Sequence, residues 1–169
     1  NFVHAATRGD GSIGEDVSEA IVRLESIPEC IPETRLLRSI SSDFEIRGEV
    51  YMPKQAAKRL AKQENRVDAS AHSRNLTSGT LRRAQTFPDL AAKRGLEFSA
   101  YSLAISRSPR EDSDGADTFR DARVLSQIEL LRHLSSEWGF FVPDPAISCT
   151  TIDAVGNAVS RFQNLRATL

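Results

Sequence analysis

Phe44-Glu45-Ile46-Arg47-Gly48-Glu49-Val50-Tyr51-Met52-Pro53 alternates in character along its length. Successive side chains of a strand point to opposite faces. Phe44, Ile46, Gly48, Val50 and Met52 then share one face, and Glu45, Arg47, Glu49 and Tyr51 share the other. That is a half-buried strand with a charged outer face. Arg47 and Glu49 lie close enough on that face to form an ion pair. Pro53 suits the first position of a helix, where its missing N–H has no partner to lose. The helix is expected to run to about Asn65.

Upstream, residues 2–6 read as a short strand and residues 8–14 as a glycine-rich turn. A helix is expected over 15–26, with Val17, Ala20, Ile21 and Leu24 at helical spacing. Glu15 and Asp16 suit its N-terminal dipole, and Pro28 and Pro32 stop it. Downstream, Ser73 is a plausible N-cap for a helix over 74–83. Residues 96–103 read as a second strand, and 106–121 as a polar surface loop containing Pro109 and Gly115. Ile128, Leu131, Leu134 and Trp138 mark a helix over 125–138, with Gly139 as its C-terminal cap. An extended piece over 140–143 and an amphipathic helix over 152–166 complete the chain. The fold class is α+β.

With 169 residues the chain fits one domain or one large fragment. Apolar residues make up 40% and charged residues 27%, which excludes a disordered or fibrous class. No apolar run approaches the roughly 18–20 residues that span a bilayer, and no secretory leader is visible. A soluble cytoplasmic protein without membrane partners is expected. The chain opens on Asn1 rather than Met, so sequence upstream is expected. Cys30 and Cys149 have no metal-ligand spacing, and the three histidines His4, His72 and His133 are scattered, so no metal is expected on this chain alone. The net charge of −1 gives no bulk support for nucleic-acid binding. A DNA partner would need a local basic surface.

Gly9-Asp10-Gly11-Ser12-Ile13-Gly14 matches the dinucleotide fingerprint GxGxxG. Against that reading, Asp10, Glu15 and Asp16 would place negative charge beside a pyrophosphate. The plainer reading is a tight turn whose glycines adopt positive φ. Asn75-Leu76-Thr77 is a glycosylation sequon without a secretory context, and Asp112-Ser113-Asp114-Gly115 lacks the remaining ligands of a calcium loop. Arg74 and Arg82 are eight residues apart, hence about 80° apart in azimuth and about 12 Å along one side of a helix. Any one of these features alone reads as ordinary surface.

Their combination resembles the adenylation domain of NAD-dependent DNA ligases. Thr7-Arg8-Gly9-Asp10-Gly11 with Gly14-Glu15-Asp16-Val17, then Ser26-Ile27-Pro28, is similar to the family's first signature. The strand 45–53 resembles its second. Ser73-Arg74-Asn75, Gly79 and Leu81-Arg82 follow its third at matching spacing. Ala92-Lys93-Arg94-Gly95-Leu96-Glu97-Phe98 with Ala100-Tyr101, and Gly139-Phe140, resemble later segments. The blocks occur in the family's order. Ser73 stands where the family has proline, Leu76, Thr77 and Ser78 where it has alanines, and Ala20 and Val22 where it has asparagine and arginine.

The resemblance implies a nucleotidyltransferase core of twisted antiparallel sheets flanked by helices, incomplete at both ends, with residues 1–169 forming part of one domain. It implies an enzyme that moves AMP from NAD, through an enzyme lysine, to the 5′-phosphate of nicked duplex DNA, then seals the nick in replication and repair with magnesium assisting. Arg8 and Glu49 would bind the nucleotide, and Arg74 and Arg82 would act on phosphates as catalytic residues. The family's lysine motif KxDG is absent from this chain, and other ligase domains lie outside it, so the chain alone is expected to be inactive. A non-catalytic ligase-like binding module and a Rossmann-type protein are the alternatives.

Overall fold

The computed structural model describes residues 2–34, 43–64, 73–106, 119–121, 125–144 and 146–168. Three strands, β1 (Phe44–Tyr51), β2 (Glu97–Ser106) and β3 (Phe119–Asp121), form an antiparallel sheet in the order β1-β2-β3. β2 runs beyond the expected 96–103. The end of the expected polar loop is β3, paired with Ala104, Ile105 and Ser106; residues 107–118 of that loop lie outside the described residues. β1 pairs from Phe44↔Ile105 to Arg47↔Ser102, then from Gly48↔Ala100 to Tyr51↔Glu97. The step leaves Tyr101 as the extra residue of a bulge. Its carbonyl accepts a bond of 2.7 Å from Gln127 Nε2.

Helix α1 (Ser18–Ile21) is a single turn, not the longer helix expected over 15–26. The Asp16 carboxylate accepts from the Ser18 N–H at 2.8 Å and starts the helix there. Beyond Ile21 the chain tightens: Leu24 N–H donates to Ile21 and Ile27 N–H to Leu24, both at 3.0 Å and both three residues back. Val17, Ala20, Ile21 and Leu24 are nonetheless buried as their spacing predicts. Residues 2–6 form no full strand. They contribute one bridge, Ala6↔Asp16, flanked by Thr7 N–H to Glu15 O and Val17 N–H to Ala5 O at 2.9 Å each.

Helix α2 (Lys54–Gln63) follows Pro53, which sits one position earlier than expected, with an extended ψ of 146°. Helix α3 (Ser73–Ala84) buries Thr77, Thr80 and Ala84 and exposes Arg74, Asn75, Ser78, Gly79, Arg82 and Arg83. The turn after it leads into α4 (Asp89–Lys93). Helix α5 (Gln127–Arg132) starts at Ser126, whose N–H donates to the Glu129 carboxylate at 2.9 Å. It continues as a π-helical turn over His133–Glu137, which brings Leu130, Leu131, Leu134 and Trp138 inward and leaves Ile128 half-buried. Helix α6 (Ile152–Thr168) is amphipathic as expected, but Ile152, Val155, Val159 and Phe162 are exposed.

Two apolar clusters flank the start of β2. One gathers α1, α2, Met52, Ala84, Ala91 and Leu96; the other gathers Ala100, Leu103, Leu130, Leu134, Trp138 and Phe140. Phe98 and Ile27 pack against both. The Phe98 ring lies across Gly48: a Cβ there would sit 2.5 Å from ring atom Cε2 and 2.5 Å from the Ser99 carbonyl oxygen. Ser26, 2% exposed, accepts the Phe98 N–H at 2.7 Å and fixes the strand start. Gly48→Ala is expected to destabilise the chain by about 1–3 kcal/mol, as overpacking does. Urea unfolding measures it, and a loss below about 0.5 kcal/mol would contradict the ring-over-glycine packing.

Candidate functional site

The loop carrying Arg8 is held by its own groups. Gly9 and Gly11 have φ of 53° and 102°. A Cβ at Gly9 would collide with the Ile13 carbonyl, and one at Gly14 with the Thr7 carbonyl. The Asp10 carboxylate accepts from the N–H groups of Ser12 and Ile13 at 2.8 Å each. Those two bonds, Ile13 first, hold its pKa below the ordinary value. The donors that a dinucleotide fingerprint would offer to a pyrophosphate are thus already occupied by an internal carboxylate. The loop is a self-contained turn that presents Arg8 to solvent. Gln85 Nε2 donates to Glu15 at 3.2 Å and ties this segment to the end of α3.

Helix α3 has no acidic residue, and its exposed face carries Arg74, Arg82 and Arg83. None of these guanidinium groups, nor that of Arg8, makes an ion pair among the described residues. Other arginines are engaged. Arg23 meets Glu19 at 2.9 Å and Asp89 at 3.0 Å, Arg47 meets Glu45 at 2.5 Å, and Arg94 meets Glu64 at 2.7 Å. Arg94 also donates to the buried Thr80 hydroxyl at 3.2 Å, which pins α3 against the chain before β2.

On the polar face of the sheet the expected Arg47–Glu49 pair gives way to Arg47–Glu45. The Tyr51 hydroxyl donates to Glu97 Oε2 at 2.5 Å. Glu45 and Glu97 are therefore both engaged, while Glu49 is exposed and makes no hydrogen bond among the described residues. Its cross-strand partner is Ser99. Opposite residues in a ladder have Cβ atoms about 4.5–5.5 Å apart, so a hydroxyl stands beside this carboxylate. Sequence reading missed Ser99 and the Tyr51–Glu97 lock, because both depend on register across β2.

The four residues singled out in the sequence are all solvent-facing, but they are not gathered into one closed pocket. Val50 joins the core with Leu76 and Leu81 of α3, so alternation turns Glu49 away from α3. A polar cleft of about 500 Å³ lies elsewhere, between α2 and the start of β2, and includes Arg59, Lys93, Arg94 and Gly95 but none of the four. Among the described residues no group of three acidic, histidine or cysteine side chains could hold a metal, and no helix is long and apolar enough to cross a membrane.

The model of the NAD-dependent DNA ligase adenylation domain matches residues 1–169. The chain belongs to that family. It is 35% identical over 170 residues to a DNA ligase of Bacillus velezensis, covering 99% of this chain and 22% of that protein. A DNA ligase of Chlorobium phaeobacteroides is 34% identical over 160 residues, 94% of this chain and 21% of its own length. One from Shouchella clausii is 37% identical over 156 residues, 91% of this chain and 20% of its own length. The chain thus spans about a fifth of the length of these curated relatives. Membership explains why the ordered motifs of the ligase adenylation domain fall on the Arg8 turn, β1 and α3.

Burial, then the bond to Glu97, pushes the Tyr51 hydroxyl up to about 12 from 10.0. A raised pKa favours the protonated form in the fold. This contribution to stability is fully present below pH 10 and is lost as the pH rises towards 12. With Tyr101→Phe leaving Tyr51 as the sole tyrosine of the two, ultraviolet titration should show ionisation near 12. Adding Glu97→Gln should move the midpoint part of the way down, since burial persists. An unmoved midpoint would show that Glu97 does not act on Tyr51.

Proposed function

We propose that this chain is a single partial adenylation domain, with a nucleotidyltransferase core, of a cytoplasmic enzyme that seals nicks in duplex DNA in replication and repair. The parent enzyme transfers AMP from NAD to a lysine, then to the DNA 5′-phosphate, and the 3′-hydroxyl displaces it. The observation that carries this reading is that the family's ordered motifs fall on side chains left open to solvent. Arg8, Glu49, Arg74 and Arg82 are exposed and unpaired among the described residues, while Glu45, Glu97, Arg23, Arg47 and Arg94 are held in internal pairs.

Each group suits its task. A carboxylate accepts from ribose hydroxyls, and Glu49 stands ready for that, with Arg8 on the nucleotide beside it. Guanidinium groups keep their charge and bind phosphate oxygens bidentately. Arg74 and Arg82 serve the phosphates of adenylate or DNA, and their position on the outward face of α3, turned from Glu49, favours DNA. NAD enters as substrate. The donor set of the described residues builds no magnesium cage. That ion commonly takes one or two carboxylates together with substrate phosphates, and none of the roles given to this chain's residues passes through it.

The nucleophile lies outside this chain, because none of its lysines sits in a KxDG motif. Incubated with NAD and magnesium, the chain should acquire no covalent AMP, read by intact mass; a labelled residue would overturn that assignment. In fluorescence anisotropy at low salt it should bind a nicked duplex. Arg74→Ala and Arg82→Ala should each reduce the slope of log affinity against log salt by about 1. A chain with no salt-dependent affinity for the duplex would refute the reading.

A further inference from the structure

Helix α2 concentrates positive charge in a chain whose net charge is −1. Lys54-Gln55-Ala56-Ala57-Lys58-Arg59-Leu60-Ala61-Lys62-Gln63 holds four cations and no acid. Ala56, Ala57, Leu60 and Ala61 are buried, which turns Lys54, Lys58, Arg59 and Lys62 to solvent. The three lysines recur every four residues, so each step rises about 6 Å and drifts only about 40° in azimuth. They form one row along the helix. Arg59 leads from that row into the polar cleft, where Lys93 of α4 also stands. None of the four α2 cations makes an ion pair among the described residues. The carboxylates at hand are mostly engaged. Glu64, just past the helix, meets Arg94 at 2.7 Å, and Glu97 in the cleft holds the Tyr51 hydroxyl at 2.5 Å. Glu25 is the acid of the cleft left open, against Arg59 and Lys93. Helix α2 contacts α3, which sets the row beside the helix that carries Arg74 and Arg82.

We infer that the lysine row of α2 is a second contact for duplex DNA, holding the backbone of one flank beyond the nick. The inference rests on the DNA reading above and extends it to a surface outside the ligase motifs. Lysine meets a phosphate as a point charge on a flexible stem, and an evenly spaced row of them suits a backbone of evenly spaced phosphates. Contacts of this kind fix the position of a duplex without reading its sequence. An acidic peptide carries its charges on flexible side chains and presents no such fixed row.

Lys58→Gln with Lys62→Gln removes two charges and keeps residues of similar helix propensity. Arg132→Gln with Arg161→Gln removes two from exposed positions on α5 and α6 and serves as the control. Anisotropy with a nicked duplex over a salt series should give a slope of log affinity against log salt that is shallower by about 2 for the lysine pair and unchanged for the arginine pair. Trimming one flank of the duplex should abolish the difference between the lysine variant and the unaltered chain, and trimming the other should leave it. Failure of the unaltered chain to bind DNA refutes the DNA reading itself. If the chain binds and the lysine variant keeps the full slope, the α2 contact is refuted while the DNA reading stands. Equal loss of slope in both variants assigns the effect to overall charge and overturns the inference. So does a difference that survives trimming of both flanks, or polyglutamate that binds as tightly as a duplex of equal charge.

Discussion

The Phe98 ring across Gly48 is the contact on which the arrangement depends. It occupies the volume a side chain at position 48 would need, and it touches both apolar clusters. On one side lie α1 and α2 with the residues of α3 and α4 that pack on them. On the other, Phe98 meets Phe140 edge-on with ring centroids 6.3 Å apart. Ser26 adds direction to the contact, because its hydroxyl accepts the Phe98 N–H at the point where the strand begins. The Ser26-Ile27-Pro28 stretch is therefore more than a stop. Ser26 anchors β2, and Ile27 packs against both clusters alongside Phe98.

That joint explains how Glu49 and the arginines of α3 come to face solvent. β1 is committed to the core through Val50 and Met52, so its alternate residues must face outward. On that outward face Arg47 takes Glu45 and Tyr51 takes Glu97, leaving Glu49 between two engaged carboxylates. Exposed pairs of this kind stabilise the fold by little. Their effect is to fix side chains around an acceptor that remains open. On α3 the same logic acts through burial. Thr77, Thr80 and Ala84 turn inward, which turns all three arginines of the helix outward.

The long-period features were legible in the sequence. β1, α2, α3 and α6 stand where alternation and helical spacing put them, and the apolar residues of the first segment are buried although the helix there is one turn long. Periodicity reports which side chains turn inward, not which hydrogen-bond pattern holds them. The Asp16 carboxylate and the three-residue bonds after Ile21 made that choice locally. The bulge at Tyr101, the π-helical turn over His133–Glu137 and the pairing of β3 depend on partners distant in sequence. So does the exchange of Arg47 from Glu49 to Glu45: the sequence placed all three on one face and could not rank their distances.

The turn at 8–14 shows why a motif must be read with its charges. Its glycine spacing fits a dinucleotide loop and a tight turn equally. Asp10 decides between them, since a carboxylate inside the loop is itself an anion at the site that an incoming pyrophosphate would need. It takes the Ser12 and Ile13 N–H groups at 2.8 Å, and its pKa falls because those bonds favour the ionised form. A nucleotide phosphate approaching this loop would meet like charge and occupied donors. The cation the loop can offer is Arg8, exposed on a turn that the Asp10 carboxylate closes. The group this loop turns outward is thus the Arg8 side chain, while the backbone N–H groups of Ser12 and Ile13 serve the loop's own closure.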